Sequence, residues 1–354
     1  EHAPAARPMR RWKERSTRWR KQLESLANLP DDQVRCVGEL IFSIDVSSNS
    51  TYHIDHGAKG TLVFVGLHKN GTECAIKRMQ RLQTSRNIIQ EEVAALNHAG
   101  LDRCPHVVAY EGDGSDENFE YLGLQLCECN LEEHVRKHGA LSHDAVRMFA
   151  RDMLEGLGWL SRVNQVHRDI KPRNLLLDKR GKLLLADFGL VREMGRDASS
   201  VHSGEAGTMG WMATEVLASF GSGDQGRWKA KSDVQVAGMV IFYMLTGGRH
   251  PFGDNAIATQ FHILQGKPAN LHLVADKPLA HDLIEWMLTS DVDRRPSAYE
   301  ALHTHPYFWT LPDGRLDAER CANFIAKIAM TAPCRNPLNF PEWLVLERDG
   351  GRDL

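Results

Sequence analysis

Eight consecutive residues, His167-Arg168-Asp169-Ile170-Lys171-Pro172-Arg173-Asn174, put a carboxylate, an amine and an amide within six positions, and Asp187-Phe188-Gly189 begins thirteen positions beyond Asn174. A carboxylate beside a hydroxyl can accept or orient its proton, and an ammonium can neutralise charge on a phosphoryl group in flight. Amide and carboxylate oxygens are hard ligands suited to Mg²⁺. Together these types point to transfer of the terminal phosphoryl group of ATP, a reaction governed by positioning and charge neutralisation. Asp169 and Lys171 are the candidate catalytic pair, and Asn174 and Asp187 the candidate metal ligands.

Those groups need a nucleotide brought to them. Lys77, closing Cys74-Ala75-Ile76-Lys77, is the candidate partner of the α- and β-phosphates, and the stretch that follows offers Glu91 and Glu92 to hold it. Upstream, Gly57-Ala58-Lys59-Gly60-Thr61-Leu62 reads as a tight strand-turn-strand whose glycines let backbone N–H groups approach phosphates. Short apolar runs at Leu40-Ile41-Phe42, Leu62-Val63-Phe64-Val65 and Ala75-Ile76, bounded by Gly, Asn and Ser, predict β-hairpins. Residues 84–97 carry a helical period, and Tyr121 to Leu126 read as a final strand. Beyond Leu131 apolar residues recur at helical spacing, as in Val146, Phe149, Met153, Leu154 and Leu157. A small β-rich lobe preceding a larger helical lobe gives an α+β class.

At 354 residues the chain exceeds one compact core and suits a two-lobed unit with extensions. A net charge of −3 gives no global reason to expect nucleic acid or an anionic membrane as main partner. Seven cysteines, an odd number without repeated metal spacing, point to reduced thiols rather than a disulfide framework or a zinc site, and the pair Cys127 and Cys129 reads as ordinary thiols. No apolar run approaches the roughly eighteen residues of a membrane span. The chain starts at Glu1 rather than Met, as a piece of a longer protein would. Its first 34 residues interleave Arg10, Arg11, Lys13, Arg15, Arg18, Arg20 and Lys21 with Trp12 and Trp19. The expectation there is a solvated linker helix, the alternative a membrane-surface or partner-binding segment.

At these spacings the motifs resemble a protein kinase. The resemblance implies a bilobal fold: an extension over 1–36, a kinase domain over 37–309 with lobes 37–127 and 128–309, and a tail over 310–354. On the pattern G-x-G-x-x-G-x-V, Asp55 stands at the first glycine and Leu62 at the valine. ATP is then expected on Gly57, Gly60, Leu62, Ala75, Lys77, Glu92, Gln125, Cys127 and Leu176, with Mg²⁺ on Asn174 and Asp187. Glu92 is preferred to Glu91 because kinases bury the residue four positions on, where Leu96 fits better than Ala95. Lys171 two positions after Asp169, with Thr208 ahead of Trp211, resembles serine/threonine rather than tyrosine kinases. Between Asp187 and Glu215 an activation segment carries the candidate phosphosites Ser199, Ser200 and Ser203, together with Thr208, near the cations Arg168 and Arg192. A phosphate there could pair with Arg168. His167, Arg168 and Phe188 are expected to be structural. Glu215, in Ala213-Thr214-Glu215 where kinases carry Ala-Pro-Glu, should pair with buried Arg295, and Asp233 should tie down the catalytic loop.

Narrower matches, at Val37 to Phe42, Leu124 to Cys127, Gly207 to Ala213 and His305-Pro306-Tyr307-Phe308-Trp309, resemble the inositol-requiring kinase/endoribonucleases of the unfolded-protein response and ribonuclease L. This resemblance implies a homodimer, a protein substrate that includes the chain itself, no DNA, and a cytoplasmic location at the cytosolic face of the endoplasmic reticulum if the parent is membrane-anchored. In that family a ribonuclease module follows the kinase; the 45 residues after Trp309 are too few for it. RNA is therefore expected only if that module exists beyond this chain. The tail is expected to hold one amphipathic helix with Cys321, Phe324, Ile325 and Ile328. The alternative to an active kinase is a nucleotide-regulated dimerising scaffold whose output is a ribonuclease module or partner.

Overall fold

The stretch from Val34 to Gln125 is rich in β-branched and aromatic residues, and in the computed structural model of the chain it forms a seven-stranded antiparallel sheet. The structure describes residues 12–56, 60–81, 83–97, 103–193, 201–202, 207–219, 227–311 and 316–323. Gly57, Ser199, Ser200, Ser203, Phe324, Ile325 and Ile328 lie outside them, as do Arg10 and Arg11.

The chain divides into two compact units, the first comprising Glu1–Arg103, Val107–Cys129 and Leu176–Lys182. Its strands are β1 (Val34–Val37), β2 (Leu40–Ser43), β3 (His53–His56), β4 (Leu62–His68), β5 (Glu73–Gln80), β6 (Tyr110–Ser115) and β7 (Phe119–Gln125). They run β1-β2-β4-β5-β7-β6, with β3 on β4. Register places Phe64 opposite Ile76 and Val65 opposite Ala75, so Val65 and Leu67 share one face while Cys74 and Ile76 point to the other. Gly66 is glycine for a steric reason: a Cβ there would meet Ile76 Cδ1 at 2.2 Å.

One face is covered by a helix that the basic sequence disguises. Helix α1 (Arg20–Asn28) buries Leu23, Leu26 and Ala27, which with Trp19 cluster against Tyr52, Val65 and Leu67. The expectation of a solvated helix over the first 34 residues is corrected here. Trp19, Leu23 and Leu26 recur at spacings of four and three, enough for one apolar stripe, and the cations interleaved with it masked it. Helix α2 (Gln83–Leu96) follows β5 and brings Leu96 into the interior at 4% exposure.

The second unit comprises Cys104–His106, Asn130–Leu175 and Leu183–Leu354. Its helices are α3 (Leu131–His138), α4 (His143–Arg162), α5 (Thr214–Ser219), α6 (Ala230–Leu245), α7 (Ala256–Gln265), α8 (Pro278–Met287) and α9 (Ala298–Thr304). Asn130 caps α3 with a full capping box, and the Ser142 hydroxyl accepts from Ala145 N to start α4. Helix α6 is apolar nearly all round, with thirteen of its residues buried, which makes it the central helix of this unit. Among the described residues no helix is long and apolar enough to cross a membrane. Cys321, in the helical turn at 318–323, is 3% exposed and its thiol reaches the Pro306 carbonyl at 3.4 Å.

Candidate active site

In the first unit, β5 aims Lys77 toward α2. Lys77 Nζ donates to Glu92 Oε2 at 2.9 Å and to Oε1 at 3.2 Å. The Glu92 side chain is 1% exposed and that of Lys77 16%. A carboxylate this deep is tolerated only with a close countercharge, so the pair fixes the amine in place. Ala75 lies two positions before Lys77 on β5, opposite Val65 and Leu124, and Leu62 opens β4 opposite Arg78. Gly60 holds φ +77, open to any approaching group because a Cβ there would meet nothing within 4 Å. Asp55 sits at a register irregularity of β3, where its carboxylate accepts from His56 N. Gln125 ends β7 with its N–H on the Ala109 carbonyl. Cys127 follows, buried, its thiol pushed up to about 12 by burial, and its carbonyl accepts from Trp19 Nε1 at 2.9 Å. Leu176 adjoins Leu177, whose carbonyl accepts from Glu128 N at 2.8 Å.

In the second unit the catalytic-loop residues form a closed network. Asp169, 5% exposed, accepts from Thr208 Oγ1 at 2.7 Å and from Lys171 Nζ at 2.8 Å. Lys171 also donates to Thr208 Oγ1 at 2.6 Å. Asn174 Nδ2 donates to both the carbonyl and Oδ2 of Asp169, so of its amide only the oxygen could serve as a cation ligand. Ala186 N donates to Asn174 O, so Asp187 follows directly beside Asn174. Asp187 adopts φ +64, a left-handed conformation that costs about 1–3 kcal/mol and is tolerated where surroundings enforce it. One carboxylate and one amide oxygen fit Mg²⁺, which in phosphoryl transfer takes a few protein ligands and completes its shell with phosphate oxygens and water. Among the described residues no cluster of three or more His, Cys, Asp or Glu makes a protein-only cage.

Buried groups hold this loop from behind. The Asp233 carboxylate, on α6, accepts from His167 N at 2.7 Å and Arg168 N at 3.0 Å. Arg168 is held at φ +69, rare for a long side chain, by those bonds and by donating its Nε to the Leu190 carbonyl. Burial pushes the Asp233 carboxyl up to about 6. His167 Nε2 meets the Ala186 carbonyl and its Nδ1 accepts from Asp169 N, which requires a neutral ring protonated at Nε2; burial lowers its pKa accordingly. Phe188 packs edge-on against His167 at 5.2 Å.

Glu215 and Arg295 form a two-pronged pair at 2.9 and 2.8 Å, extended by Ser232 Oγ and Gln235 Oε1. Burial opposes its ionisation, but Arg295 and Ser232 outweigh it and hold the Glu215 carboxyl below its ordinary range. Thr214 replaces the rigidity of the usual proline with bonds a proline lacks: its N donates to Gln235 Oε1 and its hydroxyl to the Ile263 carbonyl. Thr208, expected in the activation segment as a mark of serine/threonine rather than tyrosine kinases, has its hydroxyl engaged by Asp169 and Lys171. The linking role of Gln235 was missed, since a glutamine inside an apolar helix was the only signal. Arg168, expected as a partner for activation-segment phosphate, is 2% exposed.

A family model described as the protein kinase domain matches residues 49–308. The chain is 36% identical over 304 residues to the human serine/threonine-protein kinase/endoribonuclease IRE2, covering 82% of this chain and 31% of that protein. It is 30% identical over 300 residues to the rice serine/threonine-protein kinase/endoribonuclease IRE1, with 77% and 31% covered. It is 31% identical over 301 residues to the fission-yeast sensor for unfolded proteins in the ER ire1, with 75% and 27% covered. The chain thus spans about three tenths of the length of these curated relatives.

Proposed function

Because the chain belongs to the protein kinase family and is a serine/threonine protein kinase, we propose that it transfers the γ-phosphoryl group of Mg-ATP to Ser or Thr hydroxyls, including those of its own activation segment, in an unfolded-protein-response-like stress pathway. In this reading Lys77, held by Glu92, binds the α- and β-phosphates. Asn174 and Asp187 hold Mg²⁺, which screens the phosphate charge. Asp169 orients the acceptor hydroxyl and takes its proton, while Lys171 neutralises the transferring group. The observation that carries the reading is the closed Asp169, Lys171, Thr208 and Asn174 network, which aims both oxygens of the carboxylate. Incubation with Mg-ATP and mapping of phosphosites by mass spectrometry tests it. Phosphate at Ser199, Ser200 or Ser203, absent in Asp169→Asn and Lys77→Met, is expected; no phosphate despite Mg-ATP binding overturns it.

A second reading, a nucleotide-regulated dimer whose output is a ribonuclease module or partner, is favoured by the kinase/endoribonuclease relatives and by Asp55 in the glycine loop. ATP-dependent dimers that persist in Asp169→Asn would support it.

A further inference from the structure

Residues 12–19 hold a set of contacts that phosphoryl transfer does not require. Glu73, the first residue of β5 and 4% exposed, accepts from Trp12 Nε1, Arg15 N and Ser16 N at 2.6 to 2.7 Å. Glu128 accepts from Ser16 Oγ, Thr17 N and Thr17 Oγ1 at 2.9 Å and from Arg18 N at 2.7 Å. Arg18 Nη1 donates to the Glu128 carbonyl, and Trp19 Nε1 to that of Cys127. Two carboxylates, one opening β5 and one three residues past β7, therefore strap the segment through its donors. Ser16 and Arg15 also line a cavity of about 460 Å³ shared with Glu73, Glu111, Glu128 and Asp178 and with the cations Lys179 and Arg180. Burial pushes the Glu128 carboxyl up, but the N–H and hydroxyl donors of Thr17, Arg18 and Ser16 outweigh it and keep it ionised.

Thr17 is exposed, and its hydroxyl is a donor that the latch needs. A carboxylate only accepts, so replacing that hydroxyl hydrogen with a phosphoryl group sets nearly two negative charges against Glu128. The cations Arg15, Arg18 and Lys21 would turn toward the phosphate, withdrawing Arg18 from the Glu128 carbonyl.

We propose that Thr17 is a phosphoacceptor of the chain's own kinase activity, and that its phosphate unlatches residues 12–18 from Glu73 and Glu128. The inference rests on the kinase reading above. The γ-phosphorus of Mg-ATP bonds to Thr17 Oγ1 as its bond to the β,γ-bridging oxygen breaks. ADP leaves with that electron pair, and the hydroxyl proton passes to the catalytic carboxylate.

The test incubates the full chain with Mg-ATP and a generic serine/threonine peptide, maps phosphosites, and follows hydrogen exchange of the Arg15 to Arg18 amides. A second preparation carries phosphothreonine incorporated at position 17 during synthesis. Phosphate on Thr17 is expected in the chain and not in Asp169→Asn, while Thr17→Val phosphorylates the peptide at the unmodified rate. Phosphothreonine should speed exchange of those amides by roughly tenfold or more, the worth of hydrogen bonds to a charged group, and by less in Glu128→Gln. Phosphate on the peptide or elsewhere on the chain with Thr17 bare overturns the inference and leaves the kinase reading standing; a chain and a peptide that both stay bare overturn that reading and self-modification with it. Unchanged exchange in the phosphothreonine protein overturns the unlatching.

Discussion

Leu23→Ala tests whether helix α1 belongs to the core of the first unit or merely accompanies it. Leu23 is fully buried in a cluster with Trp19, Leu26, Tyr52, Val65 and Leu67. Alanine is the best helix former, so the substitution leaves the helix intact and removes only packing. Leucine-to-alanine changes at such sites cost about 2.7–5 kcal/mol, the lost transfer energy plus that of the cavity left behind. In a unit of this size each kcal/mol lowers the melting temperature by about 2–4 °C, which predicts a fall of roughly 5–20 °C. The control is Glu24→Ala, one position along on the exposed side of α1, where the expected change is within about 0.5 kcal/mol. Scanning calorimetry, with Trp fluorescence as a second probe of the same transition, reads both variants. A Leu23→Ala shift no larger than that of Glu24→Ala would refute the packing argument and return α1 to the solvated helix suggested by its charge.

Glu92→Gln removes the buried countercharge of Lys77 and should raise KM for ATP by about ten- to a hundredfold, whereas Glu91→Gln on the exposed side of α2 should change it little; steady-state kinetics compares the two. Arg295→Ala leaves Glu215 buried without its guanidinium and should destabilise the second unit by about 3–5 kcal/mol; a melting temperature unchanged within error would contradict the pairing. Asp233 gives a pH signature. Its folded pKa of about 6 lies above the ordinary 3.8, so the folded state favours the protonated form; the stability it contributes is full below pH 3.8 and lost as pH rises to about 6. The total is about 3 kcal/mol. Urea unfolding between pH 4 and 7 should show wild type losing that much relative to Asp233→Asn, and a constant gap between them would refute the assignment.

Much of the site was legible because its chemistry is written in adjacent residues. Asp169, Lys171 and Asn174 fall within six positions, and a loop that short keeps their side chains together. The pairing of Lys77 with Glu92 was legible from the apolar character of Leu96, since the spacing that buries Leu96 also turns Glu92 inward. The docking of α1 and the strap before it was not, because the helix's stripe of Trp19, Leu23 and Leu26 lies among cations and the strap's anchors, Glu73 and Glu128, lie 57 and 112 positions from Ser16.

By itself the sequence determined the α+β class and the kinase character and singled out the groups proposed for phosphoryl transfer, because local spacing and residue chemistry suffice for these. Tertiary structure alone decided which distant groups meet. It engaged Thr208 with Asp169 and Lys171, set Gln235 between Thr214 and Arg295, held the catalytic loop on Asp233, and turned a basic segment into a strap on the buried Glu73 and the half-buried Glu128. The reason is physical: a carboxylate or amide withdrawn from water must find a partner, and which partner lies within reach depends on how the strands and helices pack rather than on the order of residues along the chain.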